Sequence, residues 1–384
     1  QVRKLRNEQK NLLNNLSIFL SNASENEELF TKSKALIIKL VTAEDEGALV
    51  ELMLTSLKKI FSVDAAHLKF FTNSQMNSLE ENTGMNFSVG ETKHGSFAND
   101  KIKILETDED NLKKIDVALI SVSSEVSENL APIIVNNGGI VIDDGSAFRM
   151  KPEVPLVVPE INEKDLDFHK GIISIPNCTT TPMVMAIDAL NKICKVNKVI
   201  VSTYQAVSGT GKEAVNELKN QLSGNTATKV YDYKIASNVF PHVDDFLEDG
   251  FTKEEHKMIN ESKKILHDPS LEIIPTCVRV PVKIGHSESL CISIDRDLSL
   301  EDINSSLSNY SGIKILDNST DLPYPMPLYC EGKEEVFVGR IRKSPNNSRE
   351  INLWLSCDNL LKGAALNALQ ILESMIKRDL IKIN

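Results

Sequence analysis

The segment GIISIPNCTTTPMVMAIDAL, residues 171–190, reads as a strand, a turn at Pro176-Asn177, and then Cys178 just ahead of an amphipathic helix whose first turn holds Thr179, Thr180 and Thr181. A cysteine at a helix N-terminus faces unpaired backbone N–H groups and the positive end of the dipole, which lowers its pKa and favours the nucleophilic thiolate. The same amides can bind a developing oxyanion. The competing reading is that a free cysteine is a small buried hydrophobe, its commonest fate, and Cys178 taken alone does not displace it. Other residues share this ambiguity. His286, in CVRVPVKIGHSES, stands seven positions after Arg279; an imidazole exchanges protons near neutral pH, and a guanidinium grips a carboxylate with two parallel N–H groups. A lone histidine is nonetheless more often a loop residue with satisfied hydrogen bonds. Glu254 and Lys257 lie three apart on a predicted helix, where they equally make a solvated pair worth little. Ser208–Gly211 (SGTG) could let backbone approach a ligand closely or could be a tight turn.

The elements that must position these groups alternate along the chain. DVALISV, a helix through Val126 to Asn136, and GGIVIDD carry the mark of βαβ units around a parallel sheet. From Lys198 the strands lengthen (KVIVSTYQAV, CVRVPVKI, LCISIDR, EEVFVGRIRK, INLWLSC), which predicts a second α/β domain with a mixed or antiparallel sheet. A final helix is expected from Asn359 to about Lys377. The first segment spaces Leu5, Leu12, Leu16 and Phe19 as on an amphipathic or coiled-coil helix, two further periodic stretches follow, and VDAAHLKFF alternates as a strand. Residues 73–104 are polar and poorly patterned, which makes them the junction.

Composition narrows the function. The 384 residues, 41% hydrophobic and 25% charged, suffice for two or three domains with cores of their own. A net charge of -11 argues against nucleic acid or an anionic membrane surface as the main partner. No run approaches the roughly 18 apolar residues that would span a bilayer, so a cytoplasmic location is expected. The six cysteines are scattered without CxxC pairs or Cys/His ligand spacing, so neither a disulfide framework nor a metal site is suggested.

Five blocks, PNCTT, STYQAVSGTGKEA, CVRVPVKIGHSES, EVFVGRIRK and DNLLKGAALNAL, in this order and at these separations, resemble the bacterial aspartate-semialdehyde dehydrogenases, and the resemblance covers about residues 105–384. It implies a reductase that turns β-aspartyl phosphate into aspartate semialdehyde with NADPH, feeding lysine, threonine and methionine synthesis. Cys178 would attack the acyl phosphate, expel inorganic phosphate and hold the thioester, while His286 would be the general acid and base. Arg279 would bind the substrate α-carboxylate, and Glu254 with Lys257 the amino group and the phosphate. Arg149 and Asn177 would form the phosphate-binding pair, and Gln205 would orient the acyl group. Ser208, Gly209 and Gly211, with Asn359 and Gly363, would meet the nicotinamide end of NADP. The implied architecture is a Rossmann-like domain from residues 105–177 and 359–384, a catalytic and dimerisation domain from 178–358, and a homodimer.

One feature of the family pattern is missing. Before residue 100 the glycines are Gly47, Gly84, Gly90 and Gly95, none spaced as GxGxxG, so the Rossmann-like domain reads as incomplete. Residues 1–72 instead resemble a bacterial coiled-coil and GAF-like family, through RKLRNEQKNLLNNL and the helix-to-strand passage into VDAAHLKFF, as in a fusion or chimera. The alternative to an active reductase is therefore an inactive dehydrogenase remnant on a dimeric, sensor-like interaction segment. Saturable NADPH binding distinguishes the two. Related cysteine reductases acting on N-acetylglutamyl phosphate or glyceraldehyde 3-phosphate are disfavoured by YQAVSG and RVPVKIGHSES.

Overall fold

Short apolar runs separated by an amphipathic helix build the first sheet. Strands β3 (Val117–Ile120), β4 (Ile140–Asp143) and β5 (Ile172–Ser174) pair in parallel in the order β3-β4-β5. Helix α1 (Ser124–Asn136) makes the crossover between β3 and β4; Ser123 caps it by accepting the Val126 N–H, and it buries Ala131 and Ile134. The computed structural model describes residues 94–97, 100–103, 107–317 and 323–381. The chain divides into two units, Gln1–Thr107 and Asp108–Asn384. In the first, β1 (His94–Phe97) and β2 (Asp100–Lys103) pair as an antiparallel hairpin. The coiled-coil and GAF-like readings of residues 1–72 lie outside the described residues.

Beyond β5 the chain enters α2 (Thr180–Asn191), whose residues from Thr180 to Leu190 are all buried. The helix expected to be amphipathic is instead buried on every side, as the apolar run PMVMAIDAL allows, and it is central. The long strands form a six-stranded mixed sheet in the order β7-β6-β8-β11-β10-β9, from β6 (Val196–Gln205), β7 (Glu272–Arg279), β8 (His286–Ile294), β9 (Ile313–Ile315), β10 (Val336–Lys343) and β11 (Glu350–Cys357). Its two outer pairs, β6 with β7 and β9 with β10, are parallel; the inner ones are antiparallel.

Alternation along these strands sets the two faces. Val199, Val201, Ile273, Cys277, Leu290, Ile292, Leu353 and Leu355 point into the main core with α2. The opposite face leaves Ile200 and Ile274 exposed, with Tyr204 packed on Trp354 at 5.1 Å between ring centroids. A cavity of about 300 Å³ lined in part by Ser289, Pro325, Arg340, Arg342 and Trp354 adjoins it. Helices α3 (Lys212–Leu222), α4 (Lys253–Ile265) and α5 (Leu300–Ser308) follow the strands.

The final helix departs from expectation at its start. Leu361–Ala365 forms a π-helical turn before α6 (Leu366–Lys377), which returns to the parallel sheet and packs Ala368, Ile371 and Met375 on Ile142, Ile173 and Ile175. Helix α6 therefore packs on the first sheet.

Candidate active site

The turn that presents Cys178 is fixed by the side chain before it. Asn177 Oδ1 accepts the Thr179 N–H at 2.9 Å and its hydroxyl at 2.6 Å, while the Asn177 Nδ2 donates to the Glu254 carboxylate at 3.0 and 3.1 Å. The Asn177 backbone N–H donates to Glu261 Oε2 at 2.7 Å. Behind Cys178 lies Gly363: a Cβ built there would stand 2.9 Å from Cys178 Cβ and 3.1 Å from its Cα. Among the described residues, then, Gly363 lies against Cys178, in the π-turn that opens the last helix.

The Cys178 thiol pKa is raised, not lowered as its place at a helix N-terminus suggests. Burial, aided by the Glu254 carboxylate, pushes the thiol up to about 12, with Arg279 and Arg149 opposing. The α2 N-terminus does lie beside it, since Thr179 is the N-cap, but the field of one helix end does not offset desolvation and a nearby carboxylate. Cys178 is a protonated thiol at neutral pH in this structure.

Helix α4 supplies the next layer. Thr252 and Glu255 close a capping box at its start. Glu254, Lys257, Glu261 and Lys264 then follow at helical spacing along one face. Glu254 is buried, not solvated, and gathers the site: besides Asn177 it accepts from Gln205 Nε2 at 2.9 Å and from Lys257 Nζ at 3.1 Å. Lys257 also reaches Asp244 at 2.7 Å. Gln205 in turn accepts the Thr203 hydroxyl at 2.9 Å. Arg149 donates to Glu261 Oε1 at 3.0 Å and to the Asp144 carbonyl at 2.7 Å, and its Nε is buried with no partner among the described residues.

The ends of β6, β7 and β8 bring in the remaining groups. Gln205 and Arg279 are register partners on the parallel pair β6–β7, and the backbone of Ala206 serves two side chains. Arg279 Nη1 donates to the Ala206 carbonyl at 2.6 Å, and the Ala206 N–H donates to His286 Nδ1 at 3.0 Å. With Nδ1 an acceptor, the neutral ring carries its proton on Nε2, which is buried and has no partner among the described residues. Burial and the Arg279 charge push His286 down to about 3, with the Gly285 backbone opposing. The expectation of an imidazole titrating near neutral pH is thus corrected: His286 is neutral, with a fixed tautomer and a donor N–H. Gly209 passes close in front; a Cβ there would stand 3.3 Å from both Arg279 Nη1 and His286 Nε2. SGTG is both a turn and a close approach.

Asn359 ties this loop to the C-terminal segment. Its Oδ1 accepts the Ser208 hydroxyl at 3.1 Å and the Gly285 N–H at 2.9 Å. Gly211, at φ +104°, lets the loop turn into α3. The structure thereby brings Cys178, Asn177, Gln205, Arg279, His286, Glu254, Lys257 and Arg149 into one connected site, with Ser208, Gly209, Asn359 and Gly363 at its edge. Two charges escaped sequence reasoning. Glu261 and Lys264 continue the spacing of Glu254 and Lys257, which was the available signal. Among the described residues no cluster of three or more His, Cys, Asp or Glu could hold a metal ion, and no helix is long and apolar enough to cross a membrane.

Known proteins share this arrangement of domains. The semialdehyde dehydrogenase NAD binding domain matches residues 47–169, and the semialdehyde dehydrogenase dimerisation domain matches residues 187–362. The aspartate-semialdehyde dehydrogenase of Bacillus subtilis is 46% identical over 299 residues, 74% of this chain and 86% of the relative. The chain belongs to the aspartate-semialdehyde dehydrogenase family. That of Aquifex aeolicus is also 46% identical, over 281 residues that cover 71% of this chain and 83% of the relative. Among solved structures, Vibrio cholerae aspartate semialdehyde dehydrogenase II complexed with ASA superposes with a TM-score of 0.72 at 33% identity, over 85% of this chain and 94% of that one. The chain is accordingly an α/β enzyme of the aspartate-semialdehyde dehydrogenase family, with a Rossmann-like NAD-binding domain and a dimerisation domain built on a mixed sheet.

Proposed function

We propose that this chain converts β-aspartyl phosphate and NADPH into aspartate semialdehyde, inorganic phosphate and NADP+, on the pathway to lysine, threonine and methionine. The observation that carries the reading is the placing of Arg279 and Arg149 where their charges act on Cys178, with Arg279 and the buried His286 Nε2, which has no partner among the described residues, together beside Gly209. Arg279 holds the substrate α-carboxylate, and Glu254 with Lys257 receives the amino group and the phosphate end. The Cys178 sulfur attacks the acyl carbon, the carbon–oxygen bond to phosphate breaks, and hydrogen phosphate leaves beside Arg149 and Asn177 carrying the thiol proton. A thioester on Cys178 remains, and Gln205 sets its orientation.

The cofactor end of the site fits a nicotinamide. Gly209 leaves room that a Cβ would fill, and the Asn359 amide nitrogen has no partner among the described residues. Ser208, Gly209, Gly211, Asn359 and Gly363 would hold that end, and NADPH when bound supplies the hydride. His286 donates from Nε2 to the thioester oxygen as negative charge develops there, and collapse of the tetrahedral centre expels the Cys178 thiolate. A homodimer through the exposed face of the six-stranded sheet, and a cytoplasmic location in which all six free cysteines stay reduced, complete the proposal.

The test is phosphate-dependent reduction of NADP+ by the purified protein with aspartate semialdehyde, followed by absorbance beside Cys178→Ser. Activity that disappears in Cys178→Ser supports the reading. Equal rates in both proteins refute it.

A further inference from the structure

We infer that Glu261 is a positioning residue that orients the phosphate-binding arginine while holding the turn of the nucleophile, so that one carboxylate sets the spacing between the two. The inference rests on the reading of Arg149 as a phosphate ligand. The Glu261 side chain is 1% exposed and that of Arg149 8%. A carboxylate so deeply placed persists only where its lone pairs are used, and here each oxygen has its own task. Oε1 accepts from Arg149 Nη1 at 3.0 Å, and Oε2 accepts from the Asn177 N–H at 2.7 Å, one residue before Cys178.

A guanidinium is planar, so two anchors fix its orientation. With Nη1 on Glu261 and Nη2 on the Asp144 carbonyl, the Nε–H is left buried and unpartnered among the described residues, the donor a phosphate oxygen would need. The loop that carries Arg149 is tied to the same helix face. Lys264 Nζ donates to the carbonyls of Arg149, Lys151 and Val154 at 2.7, 2.8 and 2.7 Å. Glu261 and Lys264, three apart on α4, therefore fix the guanidinium and its backbone respectively. Glu254 on the same face holds the Asn177 side chain, so α4 positions both the anion site and the thiol.

Glu261→Gln separates the two tasks. Its amide oxygen can still accept the Asn177 N–H, but its N–H2 then faces the guanidinium and the Arg149 anchor is lost. In phosphate-dependent oxidation of aspartate semialdehyde, the KM for inorganic phosphate should rise about tenfold, as expected for a charge-assisted contact misplaced by a fraction of an ångström. The KM for aspartate semialdehyde and the rate of Cys178 alkylation by iodoacetamide should stay within about twofold. Arg149→Lys is measured alongside. An unchanged phosphate KM in Glu261→Gln with a raised one in Arg149→Lys overturns the inference and leaves the functional reading standing. No change in either variant refutes the assignment of Arg149, and the inference with it. A joint shift of both KM values and the alkylation rate would make Glu261 a general scaffold residue and also overturn the inference. Should Glu261→Gln fail to fold, Lys264→Met loosens the same loop without touching the guanidinium: a raised phosphate KM is expected, and an unchanged one overturns the inference.

Discussion

The neutral state of His286 can be tested through stability, because a buried histidine that refuses a proton makes folding depend on pH. The side chain is fully buried and its pKa in the folded protein is about 3, against about 6.5 for an unfolded histidine. Between these values the unfolded chain binds more protons than the folded one, so stability falls as pH is lowered through the window. The contribution is complete above about pH 6.5 and gone below about pH 3. At pH 4.5 about two units of the window have been crossed, and at about 1.36 kcal/mol per unit the loss is about 3 kcal/mol. The assay is urea unfolding of the parent and of His286→Asn from pH 8 to 4.5. The parent should lose about 3 kcal/mol more than the variant over that range, while His286→Asn slows turnover by about two to four orders of magnitude at every pH. Parallel stability curves would mean that the imidazole keeps an ordinary pKa, and the assignment of its proton to Nε2 as a permanent donor would then fail.

Two further outcomes follow from buried groups. Gly363→Ala places a Cβ 2.9 Å from Cys178 Cβ, so the nucleophile must shift by some tenths of an ångström; kcat should fall about tenfold or more while the KM for phosphate changes little, measured by steady-state kinetics and by the rate of thiol acylation. Glu288 is fully buried with neither carboxyl oxygen partnered among the described residues, and burial raises its pKa well above the ordinary value. Its folded form stays protonated where the unfolded one ionises, so the parent loses stability as pH rises above the normal carboxyl range. Glu288→Gln should be nearly neutral at pH 4 and more stable than the parent at pH 8, in the same unfolding assay; a variant no more stable at pH 8 would show an ionised or partnered Glu288.

The turn that carries Cys178 was legible in the sequence, because strand, Pro-Asn turn and apolar helix succeed one another around it and leave little freedom for the backbone between them. The mixed sheet was legible in strand length and alternation. What was not legible is burial around charges. Glu254 and Lys257 look like a surface pair because their helix is polar along much of its length, and only packing against Asn177, Gln205 and Arg149 shows which side faces inward. The expected lowering of the Cys178 pKa is reversed in the structure, since desolvation depends on neighbours far away in sequence. The π-turn at Leu361–Ala365 had no signal in LKGAA beyond a glycine, and its Gly363 lies against the Cys178 backbone.

The contact between Gly363 and Cys178 also orders events during synthesis. A ribosome completes the nucleophile's strand, turn and central helix long before it makes Asn359, Gly363 and the helix that packs on Ile173 and Ile175. Until that segment emerges, the thiol lacks its rear wall and the loop at Ser208 lacks its tether. A nascent chain therefore carries Cys178 through the synthesis of the whole six-stranded sheet before Gly363 closes behind it.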